Sequence, residues 1–269
     1  MANILEIKNL NYTYDKTTIF KDFNLKIAEG SYIGIVGSNA SGKTTLLKLI
    51  AGLLPSKNSI TLGYSYIESN RIQDHSKELG VVFGSRLNSF LFKDVYKEMA
   101  FSLENLNIDS KEIERKILEI AGLFETSNLL DKKTKDLTNS EKQQVLLMIA
   151  LLHKPKILLL DNAFSMIDRK TKTKVKKALK KYHDEYKLTI ILTTTNLEDI
   201  LDTDYLYILH KGNIVIEGEP FAVFQEDRLL NRLGLSLPFM VDLSLKLEFY
   251  ELITGIEIDM NRMVDNLWK

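Results

Sequence analysis

The sequence contains no cysteine. Disulfide bonds, cysteine-ligated metal sites and thiol catalysis are therefore excluded, and this composition suits a reducing compartment, for which the cytoplasm is the default. An excess of charge is also lacking, because 36 Lys and Arg residues balance 36 Asp and Glu residues. No global field favours nucleic acid or anionic lipid, so we expect no nucleic-acid partner, although local charged patches are left open.

Long apolar runs are missing as well. No window approaches the ~18 consecutive apolar residues of a membrane-spanning helix. The N-terminus, from Met1 to Ile7, lacks a basic region followed by a long apolar stretch, which is not typical of a secretory signal. We therefore expect a soluble chain that would serve a membrane process only by docking on a partner. Its 269 residues suffice for one large α/β domain or for one domain with an appendage.

A phosphate-binding loop is the strongest pattern that the sequence does contain. Its residues fit G-x-x-x-x-G-K-[ST] without mismatch and are Gly37, Ser38, Asn39, Ala40, Ser41, Gly42, Lys43, Thr44 and Thr45. The apolar run before the loop predicts a buried strand, and the apolar spacing after it predicts a helix. In that context the backbone N–H groups and the helix N-terminus favour an anion. The pattern predicts nucleoside triphosphate binding, with Lys43 on the β/γ-phosphates and Thr44 on Mg²⁺.

The segments around the loop alternate between strand and helix patterns. Residues 4–7 and 23–27 predict an antiparallel pair of strands ahead of the loop. Between them lies Tyr14, which either stacks on a purine ring or packs on the sheet. Residues 59–67 and 79–83 read as further strands, and a polar loop follows at 84–89.

An acidic residue lies at the end of another predicted buried strand. Residues 157–160 are aliphatic and end in Asp161, as expected for a parallel strand that delivers an acid at its C-terminal end. This carboxylate either holds Mg²⁺ or caps a turn, and the phosphate-binding loop favours the metal role. A further buried strand is predicted at 188–194, and a hairpin is predicted around Lys211 and Gly212.

Helical spacing dominates three other stretches. Residues 93–130 predict an inserted helical segment, which is either a partner-facing lobe or a layer on the sheet. Thr138 and Glu141 have the spacing of a capping box at the start of another helix. The tail from residue 220 is helical in rhythm, with Pro238 and Gly255 as breaks, and it carries many large apolar residues, which must cover the core or a partner.

The order and spacing of these motifs resemble an ABC-transporter nucleotide-binding domain over residues 3–225. The closer resemblance, carried by residues 81–83, 99–105 and 234–238, is to the ATPase subunits of energy-coupling factor (ECF) transporters. It implies an α/β fold with a phosphate-loop (RecA-like) core, an N-terminal antiparallel β subdomain, an inserted helical subdomain and a small helical C-terminal extension. The expected domains are a nucleotide-binding domain at 1–219, with its helical insertion at about 84–150, and an extension at 220–269 that serves as a dimer contact.

The resemblance also implies cofactors, partners and a location. The cofactors are ATP and Mg²⁺. The partners are a second ATPase chain in a head-to-tail dimer, expected to be a paralogue with intact catalytic residues, together with a transmembrane coupling protein and a membrane substrate-binding subunit. The chain would then lie peripherally on the cytoplasmic face of the cell membrane.

Matched residue by residue, the resemblance assigns a role to each motif. Tyr14 takes the aromatic position that stacks on adenine, residues 37–45 are Walker A and Asp161 is the Walker B acid. Asp168 belongs to the D-loop and would cross the dimer interface. The signature segment, residues 137–141, contributes Thr138, Asn139, Ser140 and Glu141 to the nucleotide bound by the partner chain.

Four departures from the family pattern concern hydrolysis rather than binding. Asn162 stands at the position of the catalytic glutamate, Thr195 at that of the switch histidine and Gly84 at that of the Q-loop glutamine, so no catalytic residue is intact. The signature segment loses both glycines, and Glu141 brings negative charge toward a phosphate. We hypothesise that the chain binds Mg-ATP and hydrolyses it weakly. The alternatives are a non-transport regulatory nucleotide-binding protein and a pseudo-ATPase structural subunit.

The resemblance places the surface for the membrane partner near residues 84–105. The aromatic residues Phe90, Phe92 and Tyr96 are candidate contacts there, and ordinary packing within the helical lobe is the alternative interpretation.

Overall fold

An antiparallel sheet forms the N-terminal part of the fold. The computed structural model describes residues 2–14, 16–67, 75–84, 90–106 and 108–268. The strands of this sheet are β1 (Asn3–Tyr14), β2 (Thr17–Ala28), β4 (Ile60–Leu62) and β5 (Ser65–Tyr66), in the order β2-β1-β4-β5. Both long strands extend beyond the predicted ranges, because the hairpin pairing continues through Tyr12↔Phe20 and Tyr14↔Thr17.

A second, mostly parallel sheet lies at the centre. Its strands are β3 (Tyr32–Val36), β6 (Leu79–Phe83), β7 (Ile157–Asp161), β8 (Thr189–Thr194), β9 (Tyr205–His210) and β10 (Asn213–Gly218). The order is β10-β9-β3-β8-β7-β6, and the described pairs are parallel except for β9 with β10, which is the predicted hairpin. All five residues of β3 and of β7 are buried, as expected for parallel strands covered on both faces.

Helices cover the central sheet and form the tail. They are α1 (Lys43–Ile50), α2 (Val95–Glu104), α3 (Ser110–Leu123), α4 (Asn139–Leu152), α5 (Arg169–Tyr186), α6 (Pro220–Phe224), α7 (Asp227–Arg232), α8 (Phe239–Phe249) and α9 (Met260–Leu267). Pro238 precedes α8 and Gly255 separates it from α9, as the sequence predicts. Within the described ranges, no helix is both long and apolar enough to cross a membrane.

Two hydrophobic clusters hold these layers together. One lies between the antiparallel sheet, α1 and one face of the central sheet, and it includes Phe20 and Leu46. The other joins the opposite face of the sheet to α2, α3, α4 and α5. The predicted fold class is therefore confirmed, with an antiparallel subdomain, a phosphate-loop core, inserted helices and a helical tail. The boundary at residue 219 stays a prediction.

The strand register decides where the site forms. Phe83 pairs with Asp161, Asp161 with Thr193 and Val36 with Thr194, so these strands end at one edge of the sheet. In parallel sheets this carboxyl edge is where ligands bind. Residues from segments far apart in the chain meet there.

Candidate functional site

Lys43 is the buried cation of the phosphate-binding loop. Its side chain is 5% exposed, and its ammonium donates to the carbonyl oxygens of Gly37 at 2.7 Å and Ser38 at 2.9 Å and to the hydroxyl of Ser41 at 3.2 Å. Burial lowers the pKa of Lys43, and the nearby Asp161 carboxylate opposes that shift. The loop thus holds a desolvated positive charge at the start of α1.

Two glycines let the loop approach its neighbours closely. A Cβ on Gly37 would collide with the carbonyl oxygen of Leu209 and lie 2.6 Å from the Ser41 hydroxyl. Gly42 is the N-cap of α1 and has a φ of 110°, in the left-handed region that favours glycine. Asn39 and Ala40, between them, are exposed at the tip of the loop, and Ser41 is buried.

Thr44 and Asp161 face each other across the carboxyl edge of the sheet. The Thr44 hydroxyl lies 2.9 Å and 3.1 Å from the two carboxylate oxygens of Asp161. Asp161 is 5% exposed and also accepts a hydrogen bond of 2.7 Å from the Thr193 hydroxyl on the neighbouring strand. A hydroxyl and a carboxylate next to a phosphate-binding loop are ligands that suit Mg²⁺. Thr45, the last residue of the motif, lies half-buried on α1.

Tyr14 lies at the end of β1 with 56% of its side chain exposed. A strand aromatic that packs on the sheet would be covered, so this exposure favours the stacking role. The hairpin that carries Tyr14 also contacts the loop, because a Cβ on Gly42 would lie 3.0 Å from the ring of Phe20.

A cleft of about 320 Å³ opens beside the Thr44 and Asp161 pair. Its lining consists of Asn39, Thr44, Gly84, Asp161, Asn162, Ser165, Met166 and Thr195. The positions of three catalytic departures, Gly84, Asn162 and Thr195, thus converge on the same cleft. Residues 85–89 of the polar loop predicted at 84–89 lie outside the described residues.

Gly84 and Asn162 fit each other through their backbones. The Gly84 N–H donates to the carbonyl oxygen of Asp161 at 2.8 Å, and a Cβ on Gly84 would collide with the carbonyl oxygen of Asn162. Asn162 has a φ of 49°, a left-handed conformation that asparagine tolerates better than glutamate does. A longer side chain at residue 84 would therefore require this junction to move.

The signature segment satisfies its polar groups within this chain. The Thr138 hydroxyl accepts from the Glu141 N–H, and the Glu141 carboxylate accepts from the Thr138 N–H, which is the predicted capping box of α4. Glu141 also pairs with Lys132 at 2.6 Å. Burial opposes ionisation, but the Lys132 ammonium and the Thr138 N–H together lower the pKa of Glu141. The negative charge expected to face a phosphate is therefore compensated by Lys132.

The remaining signature and D-loop residues differ in their contacts. Asn139 is exposed, whereas the Ser140 hydroxyl lies 2.8 Å from a carboxylate oxygen of Asp168. Asp168 is the N-cap of α5 and accepts from the Thr171 N–H at 3.0 Å. These bonds, with that of the Thr171 N–H first, lower the pKa of Asp168 to about 2.

Two of the three aromatic residues predicted to contact a membrane partner pack within the protein. Phe90 packs against the helical core, and the ring centroids of Phe92 and Phe101 are 5.0 Å apart. Tyr96 is 36% exposed, and Leu91, which was not predicted as a contact, is 74% exposed. For Phe90 and Phe92 the alternative interpretation of ordinary packing is therefore the better one.

Other contacts at the site were also missed from the sequence. Thr193 binds Asp161, and the available signal was a pair of threonines, Thr193 and Thr194, at the end of a buried strand. The contact of Lys132 with Glu141 had no sequence signal, because Lys132 lies in a turn outside any helical or strand pattern. The bond between Ser140 and Asp168 spans 28 residues and depends on the tertiary fold alone.

The parallel sheet, the loop around Lys43 and the Asp161 acid define a phosphate-loop nucleotide-binding domain. The sequence pattern of the ABC transporter family matches residues 20–165. The chain is 33% identical over 253 residues to the energy-coupling factor transporter ATP-binding protein EcfA1 of Leuconostoc mesenteroides, with 92% of each chain covered. It therefore belongs to the ABC transporter family, in the group of energy-coupling factor transporter ATP-binding proteins.

Two further similarities agree with this assignment. The EcfA2 protein of Caldanaerobacter subterraneus is 31% identical, with 90% of this chain and 88% of that protein covered. The structure of cbiO1 from Clostridium perfringens, described as part of the ABC transporter complex cbiONQ, has a TM-score of 0.77. It is 27% identical to this chain, and the alignment covers 88% of this chain and 97% of that one.

Proposed function

We propose that the chain is an ATP-binding subunit of an energy-coupling factor transporter, which binds Mg-ATP to drive dimer closure and hydrolyses it slowly at its own site. Its relatives carry names of ATP-binding proteins of such transporters, and cbiO1 is described as part of a transporter complex. The binding role and the slow hydrolysis are supported by different parts of the site.

The binding elements fit a nucleoside triphosphate with its metal. Lys43 holds a buried charge where the β- and γ-phosphates lie in phosphate-loop proteins, and the loop N–H groups precede α1. Thr44 and Asp161 supply a hydroxyl and a carboxylate within 2.9 Å of each other. These two side chains would hold Mg²⁺, which would neutralise charge on the phosphates. Tyr14 offers an exposed ring for the adenine base.

The composition of the cleft is the observation that carries the proposal of slow hydrolysis. Among the described residues that line it, Asp161 is the only ionisable one. Its carboxylate already accepts from Thr44 and Thr193. Asn162 and Thr195 have no proton-accepting group of suitable basicity, and loss of such a group typically lowers the rate by about 10²- to 10⁴-fold.

A second ATPase chain is the proposed partner in the dimer. Head-to-tail pairing would place this chain's signature segment, residues 137–141, against the partner's nucleotide. We expect turnover of the complex to come from the partner's Walker site, because this chain's own cleft lacks a base.

The C-terminal tail offers an apolar surface for dimer contact. Val241 and Met263 are buried, while Phe249, Tyr250 and Trp268 are 81%, 70% and 86% exposed. Exposed aromatic residues in this number favour an interface over free surface. The transmembrane coupling protein would instead meet the edge near Leu91 and Tyr96.

Purification from native membranes tests the proposal. The full chain, carrying an affinity tag, is extracted in mild detergent, and the copurifying proteins are identified by mass spectrometry. We expect a second ATPase chain and at least one integral membrane protein, with ATPase activity in the complex. Recovery of the chain with no membrane protein would favour the non-transport alternative. If this chain did not bind Mg-ATP in the purified complex, the pseudo-ATPase alternative would be favoured.

A further inference from the structure

Ser140 makes a two-point hydrogen bond with Asp168. Its hydroxyl donates to one carboxylate oxygen at 2.8 Å and accepts from the backbone N–H of Asp168 at 3.0 Å. The other carboxylate oxygen accepts from the backbone N–H of Thr171 at 3.0 Å. One hydroxyl therefore joins the second residue of α4 to the residue that caps α5.

This junction is specific to the residue types in this chain. Ser140 stands where the resembled signature has glycine, and glycine has no hydroxyl to make either bond. The Asp168 carboxylate, whose pKa the Thr171 and Ser140 bonds lower to about 2, is ionised at neutral pH and remains an acceptor. Hydrogen bonds to a charged group are the stronger ones in proteins.

The first turn of α5 is fixed on its other side as well. The Lys172 ammonium lies 2.8 Å from the carboxylate of Asp199, whose side chain is 5% exposed. The other oxygen of Asp199 accepts from the Thr194 hydroxyl at 2.9 Å, at the end of β8. The Ser140 hydroxyl therefore ties the signature segment to a turn that is already anchored on the central sheet.

We infer that Ser140 is a positioning residue, which holds the signature segment (residues 137–141) and the D-loop (residues 165–168) in one fixed arrangement on the face offered to the partner ATPase chain. The inference rests on the proposed function for the role of that face. Thr138 and Glu141 bond to each other, whereas Ser140 makes the bond to Asp168. Both segments would then reach the partner's nucleotide together.

Hydrogen exchange on the purified full-length chain tests the junction itself. Ser140→Ala removes the hydroxyl and keeps the Cβ. We expect peptides that cover residues 165–171 to exchange at least about fivefold faster, since both hydrogen bonds of the hydroxyl are lost and one bond alone contributes about 1 kcal/mol. Ser140→Thr keeps a hydroxyl and should restore protection. Asn139→Ala is the matched control, because Asn139 is the exposed neighbour. Unchanged exchange in Ser140→Ala, or equal acceleration in Asn139→Ala, overturns the inference.

Turnover of the copurified complex tests the role at the partner's site. Ser140→Ala should lower kcat about three- to tenfold and leave KM for ATP within about twofold, because the perturbed groups act on the assembled site. The effect should be smaller in an Asp168→Ala background, since that variant already removes the carboxylate that accepts from Ser140 and keeps only the backbone N–H that donates to it. An unchanged kcat, or additive effects of the two variants, overturns this role.

The two measurements separate the inference from the proposed function. A wild-type complex that binds no Mg-ATP refutes the proposed function. The exchange experiment uses no nucleotide and no partner, so it still decides whether Ser140 fixes the D-loop.

Discussion

Substitution of Lys43 by alanine should weaken Mg-ATP binding by about 10- to 150-fold. Hydrogen bonds to charged groups contribute about 1.5–3 kcal/mol each, and 1.4 kcal/mol corresponds to a tenfold change in Kd. The wild-type ammonium already donates to the carbonyl oxygens of Gly37 and Ser38 and to Ser41. Binding therefore exchanges some of these bonds for bonds to phosphate, which favours the lower half of that range.

Isothermal titration of the purified chain with Mg²⁺ and a non-hydrolysable ATP analogue measures this loss. Lys48→Ala is the matched control, because Lys48 is half-buried at the other end of the same helix and does not line the cleft. Thermal unfolding of both variants shows whether they are folded. Binding of Lys43→Ala within twofold of wild type, or an equal loss in Lys48→Ala, would refute the account of the loop.

Three other predictions concern stability. Gln143 is fully buried and its amide atoms have no hydrogen-bond partner among the described residues, so Gln143→Leu should stabilise the chain by about 1–3 kcal/mol; a lower unfolding midpoint would contradict this. In chemical unfolding, Gly212→Ala should destabilise the chain by at least about 1–2 kcal/mol more than Gly255→Ala does. Both glycines have a φ of 77°, but only a Cβ on Gly212 would collide with another atom, the carbonyl oxygen of Ile19. Burial lowers the pKa of His153, so the unfolded chain binds more protons than the folded chain does as the pH falls below about 6.5. The stability that the neutral ring contributes is therefore present above pH 6.5 and is lost as the pH falls through the lowered pKa. Unfolding midpoints between about pH 5 and pH 8 should depend less on pH in His153→Gln, and an unchanged profile would count against this assignment.

Local patterns predicted the elements of the site well. The phosphate-binding loop, the aliphatic strand that ends at Asp161 and the capping box of Thr138 and Glu141 each lie within a few consecutive residues. Such short patterns reflect backbone geometry that neighbouring residues decide among themselves. The helices of the tail and their breaks were predicted for the same reason.

Contacts between distant segments were beyond the sequence. Lys132 compensates Glu141 from the preceding turn, and Ser140 reaches Asp168 on another helix. The collision that a side chain at Gly84 would make with the Asn162 backbone arises only because β6 and β7 end side by side. Charge and glycine content alone could not reveal these partners, since they depend on strand order and helix packing.

Three departures from the family pattern lie in one cleft, so we interpret them together. Each substitution alone is compatible with drift, but Gly84, Asn162 and Thr195 line the same cleft as Thr44 and Asp161. Thr44 and Asp161, the proposed metal ligands, are kept, whereas the groups expected to activate water are replaced. We therefore expect binding and dimer closure to matter more at this site than cleavage.

Single-turnover cleavage at this chain's own site tests that claim most directly. The measurement uses the copurified complex in which the catalytic acid of the partner ATPase chain has been substituted, loaded with one equivalent of Mg-ATP at this chain's site. We predict that cleavage is about 10²- to 10⁴-fold slower than cleavage at the partner's unsubstituted site in the wild-type complex. Cleavage within about tenfold of that site would contradict the account.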